Sequence, residues 1–461
     1  MTDTAPWPYW TIQFDRDGAS KPEDLTTVLD EVAASNLSDL IVMSHGWNND
    51  VGTASVLYQR WFGMLPPLLA TKSVGTLGVM WPSMLWPDEP VPGTGGGAAA
   101  LPATMSPGAP VASLAPVYPD PAQRELLDQL SVLLDEQSQD PAALDHFHEL
   151  MQQLAATEPQ DVALEDASQL QMLKEDPQAL ATRFAIKLTE ANAAAGGQVQ
   201  PATGSDQGGA AVVGSVASYG ADDAAPAAAL PGQISSWLWN GAKEALRQLT
   251  YWQMKRRAGI VGESGLGPFL AALHQRAPRL RVHLIGHSFG GRLVSFALAG
   301  LPSTEASPVA SVTLLEGALS HFAFASELPQ DTSRSGGLSG MTTRVSGPLL
   351  ACYSSHDLAL AIFYPAASMA ARDDAAALAE DLTFRWGAIG HDGAQAMSMS
   401  VPVISLGPAR THYRFVSGQF TNIEASAVVS QGGPPSGAHG DIFHPELAWA
   451  MLSAGNLVST S

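Results

Sequence analysis

One serine of the chain stands between small residues in a pattern that suits a nucleophile. Gly286, Ser288 and Gly290 form a Gly-x-Ser-x-Gly motif, with an apolar run before it and the helical apolar pattern of residues 293–298 after it. Glycine and serine are common in this chain, so the motif alone is weak evidence. The pattern of the flanking residues decides whether Ser288 is a nucleophile. A sharp turn between a strand and a helix exposes a serine Oγ above the end of a sheet, and small residues are needed where the turn brings backbones together. We therefore predict that Ser288 is a nucleophile and not simply a serine of a surface turn.

A serine attacks a carbonyl carbon well only with a base, a carboxylate that orients the base, and donors for the oxyanion. The run 349–353 reads as a strand, and Asp357 follows it in the loop at its carboxyl end, where sites on parallel sheets lie. We predict Asp357 as the carboxylate. Glu316, which follows the run 312–315 one strand earlier, is the alternative. Either residue could instead be an ordinary helix cap or an ion-paired carboxylate.

The candidate base comes from the last loop of the chain. Six histidines follow Ser288, but only His439 and His444 lie in the loop of small residues before the terminal helix. His444 immediately precedes Pro445, at the expected start of that helix, where a structural role is the simpler explanation. We therefore predict His439 as the base, with His444 as the alternative and Asp441 as a partner within the loop or simply part of its turn chemistry.

An early strand supplies a candidate for the second oxyanion donor. The apolar run 39–43 ends in the segment Ser-His-Gly-Trp-Asn-Asn of residues 44–49. Gly46 would let backbone approach a substrate, so that the next N–H points at its carbonyl oxygen. We predict that the backbone N–H groups of Trp47 and Phe289 form the oxyanion hole; the alternative is an ordinary turn after a strand.

Other polar and aromatic signals are weaker. The aromatic residues Trp237, Trp239, Tyr251 and Trp252 either pack a helix or line an apolar substrate pocket. In the second case we predict that Trp237 and Trp239 bind substrate. His283 and His287 flank a strand and turn, so they would not share a helical metal-binding face. The sequence has neither a phosphate-binding Gly-Lys loop nor a zinc signature. We expect no metal and no cofactor.

The chain divides into three regions that differ in hydrophobic patterning and composition, and these regions must position the residues named above. Residues 1–86 and 232–461 alternate short apolar runs with helical patterns, which predicts an α/β core with parallel strands. Residues 87–231 are rich in Gly, Ala and Pro and carry Asp-Pro pairs at 120–121, 140–141 and 176–177. Because Asp caps helices and Pro suits the first helical position, these pairs predict helices within 120–194. Low-complexity segments at 93–116 and 196–231 flank them. The insertion is a cap over the site or a solvated spacer.

Composition narrows the class of protein. The chain has 461 residues, 46% of them hydrophobic, and a formal net charge of −21, so it can bury a large core and has no electrostatic footprint for nucleic acid or an anionic membrane. The single Cys352 permits no intramolecular disulfide. Neither a signal-peptide pattern nor an apolar run long enough for a membrane span is present. We expect a cytoplasmic protein, with non-classical export and the oligomeric state left open.

With these residues in place, the chain resembles the α/β-hydrolase superfamily of serine hydrolases, especially bacterial members similar to lipases and esterases. The resemblance lies in His45-Gly46, Trp81-Pro82-Ser83 and the motif of residues 286–290, and it leaves residues 87–231 outside. It implies an α/β-hydrolase fold, a mostly parallel sheet flanked by helices, with a long helical and low-complexity insertion. It further implies a Ser288, Asp357 and His439 triad that transfers an acyl group to serine and releases it to water without a metal. Many members of the superfamily have their cap later in the chain, so the shape of their substrate pockets cannot be transferred to this protein.

The expected function is hydrolysis of a carboxylic ester through an acyl-enzyme. An apolar small-molecule or polymeric ester suits a chain of this charge better than a polyanion, which the net charge of −21 would repel. Two alternatives stay open at this point. One is an amidase or peptidase with the same triad, and the other is a non-catalytic interaction module that keeps a hydrolase fold.

Overall fold

The computed structural model of the protein describes residues 7–70, 73–83, 86, 106–115, 118, 120–157, 173–196, 236–303, 306–329, 331–363, 387–433 and 436–458. In this part of the chain, one sheet of eight parallel strands is flanked by helices on both faces. The predicted α/β class and parallel sheet are confirmed. Residues 93–105 and 197–231, which hold most of the predicted low-complexity segments, lie outside the described ranges.

The sheet brings together the strands that precede the predicted site residues. Its spatial order is β1-β3-β2-β4-β5-β6-β8-β7, so β2, β4, β5 and β6 are consecutive neighbours and their carboxyl ends meet at one edge. The strands are β1 (Tyr9–Gln13), β2 (Asp39–Ser44), β3 (Val74–Met80), β4 (Arg281–His287), β5 (Val309–Leu315), β6 (Leu349–Tyr353), β7 (Val403–Ser405) and β8 (Phe420–Glu424).

The apolar strand runs are explained by burial on both faces of the sheet. Alternate side chains of a strand point to opposite faces: Leu40 and Val42 belong to one hydrophobic cluster, and Ile41 and Met43 belong to the other. Helices cover both clusters. They are α1 (Pro22–Ala34), α2 (Val51–Gly63), α3 (Ala109–Ala112), α4 (Pro121–Glu136), α5 (Pro141–Ala156), α6 (Pro177–Gly196), α7 (Ser236–Ile260), α8 (Gly267–Arg276), α9 (Phe289–Ala299), α10 (Ile389–Asp392) and α11 (Pro445–Ala454).

The Asp-Pro pairs mark helix starts as predicted. Helices α4, α5 and α6 begin at Pro121, Pro141 and Pro177, and the preceding aspartates accept hydrogen bonds from backbone N–H groups of the first turn. These bonds satisfy donors that have no intrahelical partner. The helical pattern of residues 239–274 corresponds to α7, which continues through a π-helical turn, Val261–Leu266, into α8.

Other boundaries differ from the sequence-based expectation. The pattern of residues 357–371 indicates a helix, of which the described residues form a π-helical turn, Ala359–Phe363; residues 364–371 lie outside the described ranges. The short edge strands β1 and β7 were not predicted individually. No helix among the described residues is long and apolar enough to cross a membrane.

Helix α7 connects the insertion to the core. Trp239 at its start packs edge-on against Phe147 of α5, with ring centroids 5.7 Å apart, and donates its indole N–H to the carbonyl of Ser138 at 2.9 Å. Further along α7, the Thr250 hydroxyl accepts the indole N–H of Trp86, 3.1 Å away. The insertion helices therefore share one buried surface with the sheet.

A close backbone contact fixes the turn that follows β4. A Cβ on Gly290 would fall within the contact distance of the carbonyl oxygens of Ser44 and His45 at the end of β2. Backbone cannot yield as a flexible side chain does, so only glycine fits there.

We predict that Gly290→Ala lowers the free energy of unfolding by about 2 kcal/mol or more, because its methyl group must push two backbone segments apart. Gly63→Ala is the matched control: Gly63 ends α2 and has nothing within 4 Å of the position of a Cβ, so alanine should leave stability unchanged or raise it by about 0.5 to 1 kcal/mol. Urea unfolding measures both. Equal stability of the two variants would contradict the contact.

Candidate active site

Ser288 occupies a sharp turn between β4 and α9. Its backbone has φ 55° and ψ −124°, a conformation that is strained for a residue with a side chain. Hydrogen bonds from the next strand hold it there: Ser288 N–H donates to the Leu315 carbonyl at 3.1 Å, and the Ser288 carbonyl accepts from Ala318 N–H at 2.9 Å. The turn therefore presents the Oγ at the carboxyl edge of the sheet, as the motif predicts.

The three predicted catalytic side chains form one hydrogen-bonded chain. Ser288 Oγ lies 2.8 Å from His439 Nε2, and His439 Nδ1 lies 2.7 Å from Asp357 Oδ2. The carboxylate must accept, so Nδ1 carries the proton and Nε2 is free to accept the serine hydroxyl proton. Asp357 is fully buried, whereas the His439 side chain is 15% exposed. The arrangement suits proton transfer from the hydroxyl to the imidazole.

The loops that carry His439 and Asp357 are bonded to each other. Asp357 and Gly437 form an isolated antiparallel bridge, and Ala438 N–H donates to the His356 carbonyl at 2.9 Å. Asp357 also accepts from Leu360 N–H through its other carboxylate oxygen, at 2.9 Å. The acid and the histidine are therefore positioned by the same backbone contacts, although they are far apart in sequence.

His287, the residue before Ser288, holds the loop that carries His439. Its Nε2–H donates to the His439 carbonyl oxygen at 2.7 Å, which fixes the tautomer with Nδ1 unprotonated. Burial, and then the nearby His439, lowers the pKa of His287 to about 3. A neutral ring can keep this bond throughout the physiological pH range.

His444 lies beside Asp441 at the start of α11 and not beside Ser288. Its Nε2–H donates to Asp441 Oδ1 at 2.8 Å, and Asp441 Oδ2 accepts the backbone N–H groups of Ser430 and Gln431. The hydrogen bond to Asp441 raises the pKa of His444. Through these hydrogen bonds, Asp441 and His444 connect the end of the loop that carries His439 to the segment after β8. This contact matches the structural role expected for His444.

The segment after β2 crosses directly over the serine. A Cβ on Gly46 would lie 2.5 Å from Ser288 Cβ and 3.1 Å from its Oγ, so only a glycine permits this approach. Among the described residues, no hydrogen bond engages the backbone N–H of Trp47 or of Phe289. Each of these N–H groups adjoins a residue of the close contact, Gly46 or Ser288, and their role as oxyanion donors stays a prediction.

His45 connects this segment to the residues that directly follow β3. Its ring stacks on Trp81, with centroids 5.3 Å apart and planes 9° apart, and its Nδ1–H donates to the Gly46 carbonyl at 2.9 Å. Trp81 Nε1–H donates back to the His45 carbonyl at 3.0 Å, and the Ser83 hydroxyl donates to the Gly46 carbonyl at 3.3 Å. The Trp-Pro-Ser segment therefore holds the loop in place. Burial lowers the pKa of His45 to about 4.

Three aromatic rings border the two N–H groups. Tyr251 of α7 packs on Phe289 with centroids 4.6 Å apart and on Trp47 with centroids 5.4 Å apart. The provisional substrate-binding residues lie elsewhere on α7: Trp239 packs on the insertion, as described above, and Trp237 is half-buried against the core. Sequence reasoning left Tyr251 between packing and pocket lining, because an aromatic helical pattern does not reveal which ring faces the site.

One group of described residues could bring three ligand atoms near a cation. His287, Glu316 and His439 each offer an atom within 4.8 Å of the others. Both nitrogens of His439 are hydrogen-bonded, to Ser288 and Asp357, and a metal ion would have to displace one of them. We assign no metal to this group.

No protein-family model, curated protein or solved structure matches the chain. Functional inference therefore rests on the geometry of the site. The catalytic roles of Ser288, Asp357, His439, Trp47 and Phe289 stay predictions.

The pKa of His45 predicts an acid-sensitive fold. The unfolded chain has the ordinary histidine pKa of about 6.5 and the folded chain about 4, so only the unfolded state takes up this proton between those values. The stabilising effect of the neutral ring is complete above pH 6.5 and is lost as the pH falls toward 4. Between pH 7.5 and pH 5, His45 should account for about 2 kcal/mol of the decrease in unfolding free energy.

His45→Gln should lower stability at pH 7.5 and make that decrease smaller by a similar amount, as measured by urea unfolding at both pH values. His412→Gln, at an exposed position, is the matched control and should leave the decrease unchanged. An unaltered decrease in His45→Gln would show that His45 does not titrate in this window.

Proposed function

We propose that the protein is a serine-dependent carboxylic ester hydrolase with an α/β-hydrolase fold. The observation that carries the proposal is the continuous hydrogen-bonded chain from Ser288 Oγ through His439 to the buried Asp357. The backbone N–H groups of Trp47 and Phe289 have no hydrogen-bond partner within the described part of the chain, and they adjoin Gly46 and Ser288, which are in close contact. A nucleophile, a base, an orienting carboxylate and oxyanion donors are the set that acyl transfer needs.

In the first half-reaction, Ser288 Oγ attacks the ester carbonyl carbon while His439 Nε2 takes the hydroxyl proton. Asp357 holds the imidazole in the required tautomer and stabilises the imidazolium that forms. The oxyanion accepts hydrogen bonds from the N–H groups of Trp47 and Phe289. Protonated His439 then gives its proton to the leaving alcohol oxygen, the carbon–oxygen bond of the ester breaks, and an acyl group remains on Ser288.

In the second half-reaction, water attacks the acyl carbon and gives a proton to His439 Nε2. The tetrahedral intermediate collapses, Ser288 Oγ leaves and recovers the proton, and the carboxylic acid is released. Every step uses groups of this chain and water.

The surroundings favour an uncharged, apolar substrate. Trp47 is the partly exposed ring of an aromatic cluster whose other members, Tyr251 and Phe289, are buried, and aromatic surface binds apolar groups. The net charge of −21 disfavours a polyanion. We therefore propose a small-molecule or polymeric ester with an apolar acyl or aromatic part.

The proposal predicts that the wild type is labelled by a fluorophosphonate and hydrolyses p-nitrophenyl esters, and that Ser288→Ala loses both properties together while keeping its circular dichroism spectrum. Ser333→Ala, at an exposed serine, is the matched control and should behave as the wild type. An unlabelled, inactive wild type would favour a non-catalytic interaction module.

A matched p-nitroanilide separates esterase from amidase. We expect esters to turn over much faster, because a poor amide leaving group demands more of the proton donor. Comparable rates on the two substrates would point to an amidase or peptidase.

The close approach of Gly46 predicts a loss of rate without loss of the nucleophile. Gly46→Ala must move the segment away from Ser288, so the Trp47 N–H no longer meets the oxyanion. We expect kcat for p-nitrophenyl esters to fall by about 10² to 10³, the typical effect of removing one oxyanion donor, with Gly63→Ala as the control. An unchanged kcat in Gly46→Ala would exclude Trp47 as a donor.

A further inference from the structure

A second buried carboxyl group lies beside the proposed catalytic histidine and is not used by the mechanism above. Glu316 follows β5, the strand between β4, which carries Ser288, and β6, which precedes Asp357. Its side chain is 2% exposed, and among the described residues neither carboxyl oxygen has a hydrogen-bond partner. A carboxylate buried in this way would be very unfavourable.

The groups around Glu316 affect whether its carboxyl group is protonated. A carboxyl oxygen of Glu316, a nitrogen of His287 and a nitrogen of His439 lie within 4.8 Å of one another. Burial raises the pKa of Glu316 well above its usual range, and the negative charges of Asp357 and Asp441 raise it further. On β6, the pKa of Cys352 rises to about 12, through burial and then through Glu316. His287 brings no positive charge to this carboxyl group, because burial holds its ring neutral.

A buried carboxyl group that accepts hydrogen bonds keeps its charge more easily than one without donors. Asp357 has the favoured position, because its two oxygens accept from His439 Nδ1–H and from Leu360 N–H. Glu316 has no such donor among the described residues, so it keeps the proton. Because the negative charge of Asp357 raises the pKa of Glu316, removing that charge favours ionisation of Glu316.

We propose that Glu316 and Asp357 share a single negative charge at the His439 imidazole, so that Glu316 becomes the orienting carboxylate whenever Asp357 is absent. In that event Glu316 releases its proton to solvent, and its carboxylate accepts the hydrogen bond from His439 Nδ1–H in the space that the Asp357 side chain occupied. Glu316 is thus a positioning residue. The proposal rests on the proposed function for its kinetic test but not for its spectroscopic one.

The kinetic test compares the wild type, Glu316→Gln, Asp357→Ala and the double variant on a p-nitrophenyl ester. Glutamine imitates the protonated form, so Glu316→Gln should retain kcat/KM within about threefold at pH 7. Loss of the orienting carboxylate typically lowers kcat by about 10⁴; Asp357→Ala should lose only about 10², because Glu316 replaces it, and the double variant should lose the full amount.

The pH profile separates this role from a structural one. In Asp357→Ala, kcat/KM should rise with pH as Glu316 ionises, and this rise should be missing from the double variant. If the double variant matches Asp357→Ala in rate and profile, or if Glu316→Gln alone is as impaired as Asp357→Ala, the proposal is wrong.

An infrared measurement tests the charge sharing without turnover. The wild type should show the C=O stretching band of a buried protonated carboxyl group, and Glu316→Gln should remove it. Asp357→Ala should also remove it, because Glu316 is then ionised. Glu327→Gln, at an exposed position, should leave the band unchanged. An absent wild-type band, or one that persists in Asp357→Ala, would overturn the sharing. A wild type that shows the band but hydrolyses no ester would contradict the proposed function instead.

Discussion

The contact between the end of β2 and the turn after β4 is the constraint on which the site depends. The two strands pair directly, with Ser44 opposite Gly286, so the segments that leave them must pass each other at backbone distance. Gly290 lies against the carbonyls of Ser44 and His45, and Gly46 lies against Ser288. A side chain at either glycine would separate the serine from the N–H of Trp47. Stability and the geometry of the proposed oxyanion hole therefore rest on the same pair of close approaches.

Electrostatics in this region depend on keeping buried groups neutral. Burial holds His45 and His287 in their uncharged forms, and each fixes a loop through a hydrogen bond that needs a defined tautomer. Burial, and then the charge of Asp357, raises the pKa of Glu316, and among the described residues no donor reaches its carboxyl oxygens. In our proposal, Asp357 then carries the one negative charge beside His439. That charge stabilises the imidazolium that forms when His439 takes the serine proton.

Helix α7 gives the insertion a physical link to the site. Its first turns pack on α5 and α6, while Tyr251 further along contacts Trp47 and Phe289. The described part of the insertion is therefore packed against the core through this helix, and a cap over the site stays a prediction.

The sequence by itself determined the local elements and the chemical types. Apolar runs fixed the buried strands, Asp-Pro pairs fixed three helix starts, and the flanks of the Gly-x-Ser-x-Gly motif fixed the strand, turn and helix around Ser288. Strand order also made Asp357 and His439 reasonable choices, because parallel strands end at one edge. Tertiary structure alone decided which groups meet. Only the fold reveals that Glu316 is buried, that His444 binds Asp441, and that Tyr251 rather than Trp239 contacts Trp47. The reason is that periodicity records which face of an element is apolar, whereas partners distant in the chain are set by how those faces pack.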